Sequence, residues 1–240
     1  MTPPLPAAAD TPMPRLDPSR PETVAAFIRA NTKRLSPPLV PEIRLHLAAE
    51  SLPIWQKTED ELGELNVPPP YWAFAWAGGQ ALSRYLLDNP ALVAGRRVLD
   101  LGAGSGLQAI AAAKAGAARV LAADIDRLAL VACRLNAEAN GVALDVTADN
   151  LLARTPDPAW DVVLVGDLYY ERQLADAVTA YIDAAAHNGS LILIGDPQRS
   201  YFPRAKFEAV AEYQVPVTRE LEDAEIKRTA VWRQGPAVRA

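Results

Sequence analysis

Val98-Leu99-Asp100-Leu101-Gly102-Ala103-Gly104-Ser105-Gly106 is the stretch that decides the fold. Its first four residues read as a short buried strand. The glycines then demand a sharp turn in which the backbone can come close to a ligand. An alanine-rich helix over 106–115 follows, closed by Gly116. Downstream the same alternation repeats: a strand over 119–123, a helix over 127–139 with Asp126 as its N-cap and Asn140-Gly141 as its stop, and a strand over 144–147. A fourth strand over 161–165, a helix over 171–187 ended by Asn188-Gly189, and a fifth strand over 191–194 continue it. The end of the chain is expected to hold a helix near 203–210 and two antiparallel strands, 212–217 and 228–233. Short apolar strands alternating with helices imply a mostly parallel sheet covered on both faces, a Rossmann-like α/β fold.

Upstream, residues 1–20 are rich in Pro and Ala and are expected to form a flexible tail. Pro21-Glu22-Thr23 opens a helical pattern running to about Arg34, with Val24, Phe27 and Ile28 on one face, ended by Pro37-Pro38. A polar, irregular stretch from Glu50 to Pro70 follows, and the prolines at 68–70 exclude helix there. Trp72 to Trp76 and Gly78-Gly79 precede a helix over about 80–87. The expected organisation is one domain over 21–240, with an N-terminal extension over 21–90 and the Rossmann-like core over 91–240.

With 240 residues, 50% apolar and 22% charged, the chain suits one large α/β domain. A net charge of −5 gives no general attraction to nucleic acid or anionic lipid. The single Cys133 excludes an internal disulfide, and two distant histidines, His46 and His187, speak against a zinc site, so no metal is expected. No apolar run is long enough for a membrane span, and the start of the chain lacks the pattern of a secretory leader. A cytoplasmic monomer is the expectation.

The glycine spacing is G-x-G-x-G rather than the G-x-G-x-x-G of dinucleotide folds, and an acid precedes it within the strand. That is the form found in S-adenosylmethionine-dependent methyltransferases, where the loop Gly102-Ala103-Gly104 cradles the amino-acid and ribose parts of the cofactor. Asp100 is expected to receive the methionyl ammonium, directly or through water. Asp124, at the end of the second strand, suits the two ribose hydroxyls, and Asp149 or Asn150, after the third, suits the adenine edge. At the end of the fourth strand Asp167 is followed three residues later by Tyr170. An acid beside an aromatic ring suits an amine acceptor, with Asp167 orienting the amine and helping to release its proton.

With Asp167-Leu168-Tyr169-Tyr170 in place, the chain resembles the seven-β-strand protein methyltransferases that carry an acid-x-x-aromatic signature. Within that group it is similar to the family of electron transfer flavoprotein beta subunit lysine methyltransferases, on the stretch Pro70-Tyr-Trp-Ala-Phe-Ala-Trp76-Ala-Gly78-Gly79-Gln80 onward to Pro90 and on Thr32 to Leu47. The similarity runs from about Phe27 to Glu171. It implies a class I methyltransferase fold with a seven-stranded sheet and an antiparallel C-terminal strand, S-adenosylmethionine as cofactor, and lysine N-methylation of that beta subunit as the activity. It also implies that Trp76, Gly78, the 102–104 loop, Asp124, Ile125 and Gly166 line the cofactor pocket, while Asp167 and Tyr170 face the acceptor lysine. The chain departs from the family pattern at Ala77, where proline is common, and at Ala103 and Ser105, where relatives vary. Rival expectations are a ribosomal-protein or small-amine acceptor, or a cofactor-binding module without catalysis.

Overall fold

The computed structural model describes residues 16–48, 69–222 and 224–234. Helix α1 (Pro21–Asn31) begins with proline, whose missing N–H falls where no helical bond would form. It stops at Asn31 rather than near Arg34, because Thr32 is extended and Lys33–Leu35 form a strand, β1. This strand pairs antiparallel with β2 (Leu45–Leu47) in a two-stranded sheet of its own. Of the expected tail, residues 1–15 lie outside the described residues; Leu16 is buried in one cluster with Val24, Phe27 and Ile28. Most of the irregular stretch, 50–68, also lies outside them.

Helix α2 (Ala77–Asp88) begins three residues before the expected Gln80 and takes Gly78 and Gly79 into its first turn. Then come β3 (Arg97–Leu101), α3 (Leu107–Lys114), β4 (Arg119–Ala123), α4 (Arg127–Ala139), β5 (Asp145–Thr147), β6 (Val162–Gly166), α5 (Arg172–His187) and β7 (Leu191–Asp196). The helix expected near 203–210 is absent: one tight turn over Arg204–Lys206 leads straight into β8 (Phe207–Pro216). Ala, Glu and Lys favour helix locally, but pairing with the last strand overrides that preference. A short helix, α6 (Arg219–Glu222), and β9 (Ile226–Gln234) complete the chain.

The seven strands are ordered β5-β4-β3-β6-β7-β9-β8, parallel from β5 to β7, with β9 antiparallel to β7 and β8 antiparallel to β9. This is the expected class I methyltransferase architecture. Successive residues of the central strands serve opposite faces, as a pleated strand requires. Val98, Val162, Leu164 and Leu193 join the core under α2 and α3, while Leu99, Val163, Val165 and Ile194 join the core under α5. The chain runs outward from β3 in one direction and from β6 in the other, so a crevice opens beyond their carboxyl ends. Among the described residues, no helix is long and apolar enough to cross a membrane, and no cluster of His, Cys, Asp or Glu could hold a metal ion.

Candidate active site

A cavity of about 720 Å³ occupies that crevice. One wall is the loop after β3, where Gly102, Gly104 and Gly106 all take left-handed backbone angles. A side chain on Gly102 would also strike Leu168, 2.8 Å from the position of a Cβ. The loop is held from behind. Gly102 and Ala103 donate their N–H groups to the Ala123 carbonyl at 2.9 and 3.0 Å. The fully buried Asn136 donates to the Ser105 carbonyl at 2.8 Å and accepts from the His46 N–H at 2.7 Å, tying β2 to the loop.

Asp124 closes the same wall. One carboxylate oxygen accepts from the Gly104 N–H and the other from the Asp126 N–H, both at 2.9 Å. Each oxygen keeps a lone pair for another donor. Burial raises the Asp124 pKa against these two bonds. Asp126 caps α4 as expected, accepting from the Leu128 N–H at 2.8 Å.

Asp100 lies one layer behind the cavity wall. It is wholly buried, does not line the cavity, and accepts from the Ala109 N–H at 3.0 Å and from Gln108 Nε2 at 3.2 Å. Its carboxylate anchors the first turn of α3, and burial pushes its pKa up to about 7. Gln108, by contrast, does line the cavity. A Cβ on Gly166 would meet the Gln108 amide at 2.6 Å, so Gly166 makes room for that side chain.

Along the cavity from Asp124, Ile125 is 66% exposed, a large apolar side chain left open beside it. Asp149 and Asn150 line the cavity too, as do the apolar Leu151, Leu152, Leu174 and Ala177. Asp149 also accepts an ion pair from Arg154 at 3.0 Å.

Asp167, Tyr170 and Trp76 line the same cavity. Asp167 has a φ of +60°, uncommon for any residue with a side chain. Its carboxylate accepts from the N–H groups of Gly78 and Gly79 at 3.1 and 2.8 Å, satisfying two orphan donors at the start of α2. It also accepts from Arg199 through Nε at 3.1 Å and a terminal nitrogen at 2.7 Å. Burial raises the Asp167 pKa, and the Arg199 guanidinium opposes the shift. Gly78, placed by resemblance in the cofactor pocket, does not line the cavity; Gly79 does. Tyr169 is buried against Phe202, so only Tyr170 of the tyrosine pair faces the site. The Tyr170 ring lies 5.7 Å from that of Tyr71, whose ring in turn meets Trp76 at 6.0 Å, so three aromatic rings adjoin beside Asp167.

Arg199 and Tyr71 were not singled out from sequence. Arg199 stands three residues beyond β7, at the same carboxyl edge as the other site loops, and that position is the signal it offered. Other arginines on the neighbouring elements, Arg84, Arg172 and Arg204, do not line the cavity. Arg84 pairs with Glu42 and Asp88, Arg172 lies over Tyr201, and Arg204 lies over Trp232.

Comparisons with known proteins bear on the family of the whole chain. The chain is 41% identical over 217 residues to the electron transfer flavoprotein beta subunit lysine methyltransferase of Xenopus laevis, covering 88% of this chain and 87% of that one. It is 39% identical over 219 residues to the Danio rerio protein of the same name, covering 88% and 83%. To the human one it is 38% identical over 216 residues, covering 87% and 81%. The family model of ribosomal protein L11 methyltransferase matches only residues 80–193. Among solved structures, a Thermoplasma acidophilum protein superimposes with a TM-score of 0.52 at 19% identity, covering 67% of this chain and 91% of that one, a likeness of fold alone.

Proposed function

This chain belongs to the family of electron transfer flavoprotein beta subunit lysine methyltransferases, and from that premise we propose that it transfers methyl groups from S-adenosylmethionine to lysines of that beta subunit. The observation that carries the reading is one cavity lined both by the glycine loop with Asp124 and by Asp167 with Tyr170.

The residues fit the cofactor. The left-handed glycines of the 102–104 loop present backbone rather than side chains to the cavity, Asp124 keeps acceptor capacity for ribose hydroxyls, and the exposed Ile125 with Asp149 and Asn150 suits a flat, partly polar base. Bound there, S-adenosylmethionine supplies an activated methyl group on a sulfonium.

The protein's part is alignment and control of the acceptor amine. A free lysine, with a pKa of about 10.4, is neutral in roughly one molecule per few thousand at pH 7, and only the neutral amine attacks. The rim of Tyr71, Trp76 and Tyr170 accommodates the apolar stem of a lysine and its cationic head. Asp167 works as a fixed carboxylate. Four donors already hold its oxygens, so it attracts and orients the amine, and the proton leaves to solvent through the open side at Tyr170, which is 45% exposed.

The test is mass spectrometry of purified electron transfer flavoprotein after incubation with this protein and S-adenosylmethionine, beside an Asp167→Asn control. Mass gains in steps of one methyl on beta-subunit lysines, lost in the control, are expected. No gain, with cofactor binding intact, would sink the named substrate.

A further inference from the structure

We propose that Arg199 is the positioning residue of the acceptor end: its guanidinium holds Asp167, Trp76 and Glu222 in one arrangement and so ties the C-terminal hairpin to the site. This rests on the methyltransferase reading above.

The contacts are specific to a guanidinium. Two nitrogens of Arg199 reach one oxygen of Asp167, and one of them also reaches Glu222 at 3.0 Å. The same group lies 5.5 Å from the centre of the Trp76 ring. A planar fork that bonds at its edge and stacks on its face does both at once; an ammonium does not. The cluster is also enclosed, with side-chain exposures of 17% for Arg199, 9% for Asp167 and 3% for Glu222.

The backbone around the pair gives an independent sign. Among the described residues, the two non-glycine residues with positive φ are Asp167, at 60°, and Gln198, at 65°. One bears the carboxylate and the other immediately precedes the arginine. Strained backbone of this kind persists where surrounding contacts over-determine it, and it gathers at functional sites.

Charge explains what Arg199 does for the site. Asp167 is faced by Glu222 from α6 and by Asp196 from the end of β7, and Tyr170 of its own loop lines the same cavity; Lys227 of β9 lies 3.6 Å from Glu222. Without Arg199, enclosed carboxylates confront one another and one must take a proton. Asp167 would then cease to be a fixed negative charge. Glu222 also accepts from the Ala77 N–H at 3.4 Å, so α6 and the first turn of α2 share this anchor.

The test compares wild type, Arg199→Met and Arg199→Lys by three readings: kinetics on electron transfer flavoprotein beta subunit, calorimetric binding of S-adenosylhomocysteine, and carboxyl-carbon NMR titration of Asp167, assigned by the signal lost in Asp167→Asn. In Arg199→Met, cofactor-product affinity is expected within about twofold of wild type, kcat down about 10- to 100-fold, and Asp167 titrating at a higher pH. Arg199→Lys should recover part of kcat and part of the titration shift. Unchanged kcat with unchanged titration in Arg199→Met overturns the proposal. Where that variant does not fold, Arg199→Lys with wild-type kcat and titration overturns it equally. If wild type binds cofactor product but does not methylate the beta subunit, the substrate reading fails on its own. The titration then decides alone, a higher pH for Asp167 supporting the role of Arg199 and an unmoved one ending it.

Discussion

Gly78 and Gly195 meet backbone to backbone: a Cβ on Gly78 would lie 2.1 Å from the Gly195 carbonyl oxygen, and one on Gly195 would lie 2.0 Å from that of Gly78. The first turn of α2 therefore rests directly on β7, and no side chain fits between them. Gly195→Ala forces the two apart, which also pulls the Gly78 and Gly79 N–H groups from Asp167. A stability loss of about 1–3 kcal/mol is expected, read from urea unfolding, with a larger proportional loss of kcat than of cofactor affinity. Wild-type stability in this variant would show that the contact yields freely.

Asp124→Asn tests the glycine-loop end. Both oxygens of Asp124 accept backbone N–H groups, so an amide must aim its NH₂ at one of those donors. Losing a bond to a charged group costs about 1.5–3 kcal/mol, which is about a 10- to 100-fold weaker affinity. Calorimetry with S-adenosylhomocysteine checks this, and an unchanged Kd would move the ribose elsewhere.

Tyr170 separates ring from hydroxyl. The ring stands 45% exposed against Tyr71 at the acceptor end. Tyr170→Phe should keep kcat/KM for the protein acceptor within about threefold, since a cation is attracted to the ring face. Tyr170→Ala should lower it about tenfold or more with cofactor binding unaltered. Equal losses in both variants would assign the work to the hydroxyl.

Asp196 predicts a pH effect on stability. It is wholly buried, with one oxygen accepting the Arg199 N–H at 2.7 Å and the other lacking a hydrogen-bond partner. Burial first, then Asp167, pushes its pKa up to about 7, against about 3.9 for an unfolded chain. The folded state thus holds this proton more tightly than the unfolded state does. Its stabilising contribution is complete below about pH 4 and is lost as pH rises towards 7. Asp196→Asn, which imitates the protonated form, should gain stability relative to wild type on going from pH 5 to pH 8. Urea unfolding at both values checks it; a pH-independent difference would mean that Asp196 is ionised throughout.

The central strands, α4 and its Asp126 cap were legible because each follows from residues adjacent in sequence: apolar runs, a capping acid, a stopping glycine. The errors share a different cause. The first turn of α2 looked like loop because its cap, Asp167, comes from a strand far along the chain. Residues 207–210 looked helical because Ala and Glu favour helix, while the partner that makes them strand, β9, lies beyond a turn. Arg199 carries no local pattern; only the sheet order brings it to Asp167.

The bond from Glu222 to Arg199 also sets a timetable for synthesis. Asp124 and the glycine loop are made long before Glu222, so the cluster that fixes Asp167 can close only after α6 has been synthesised.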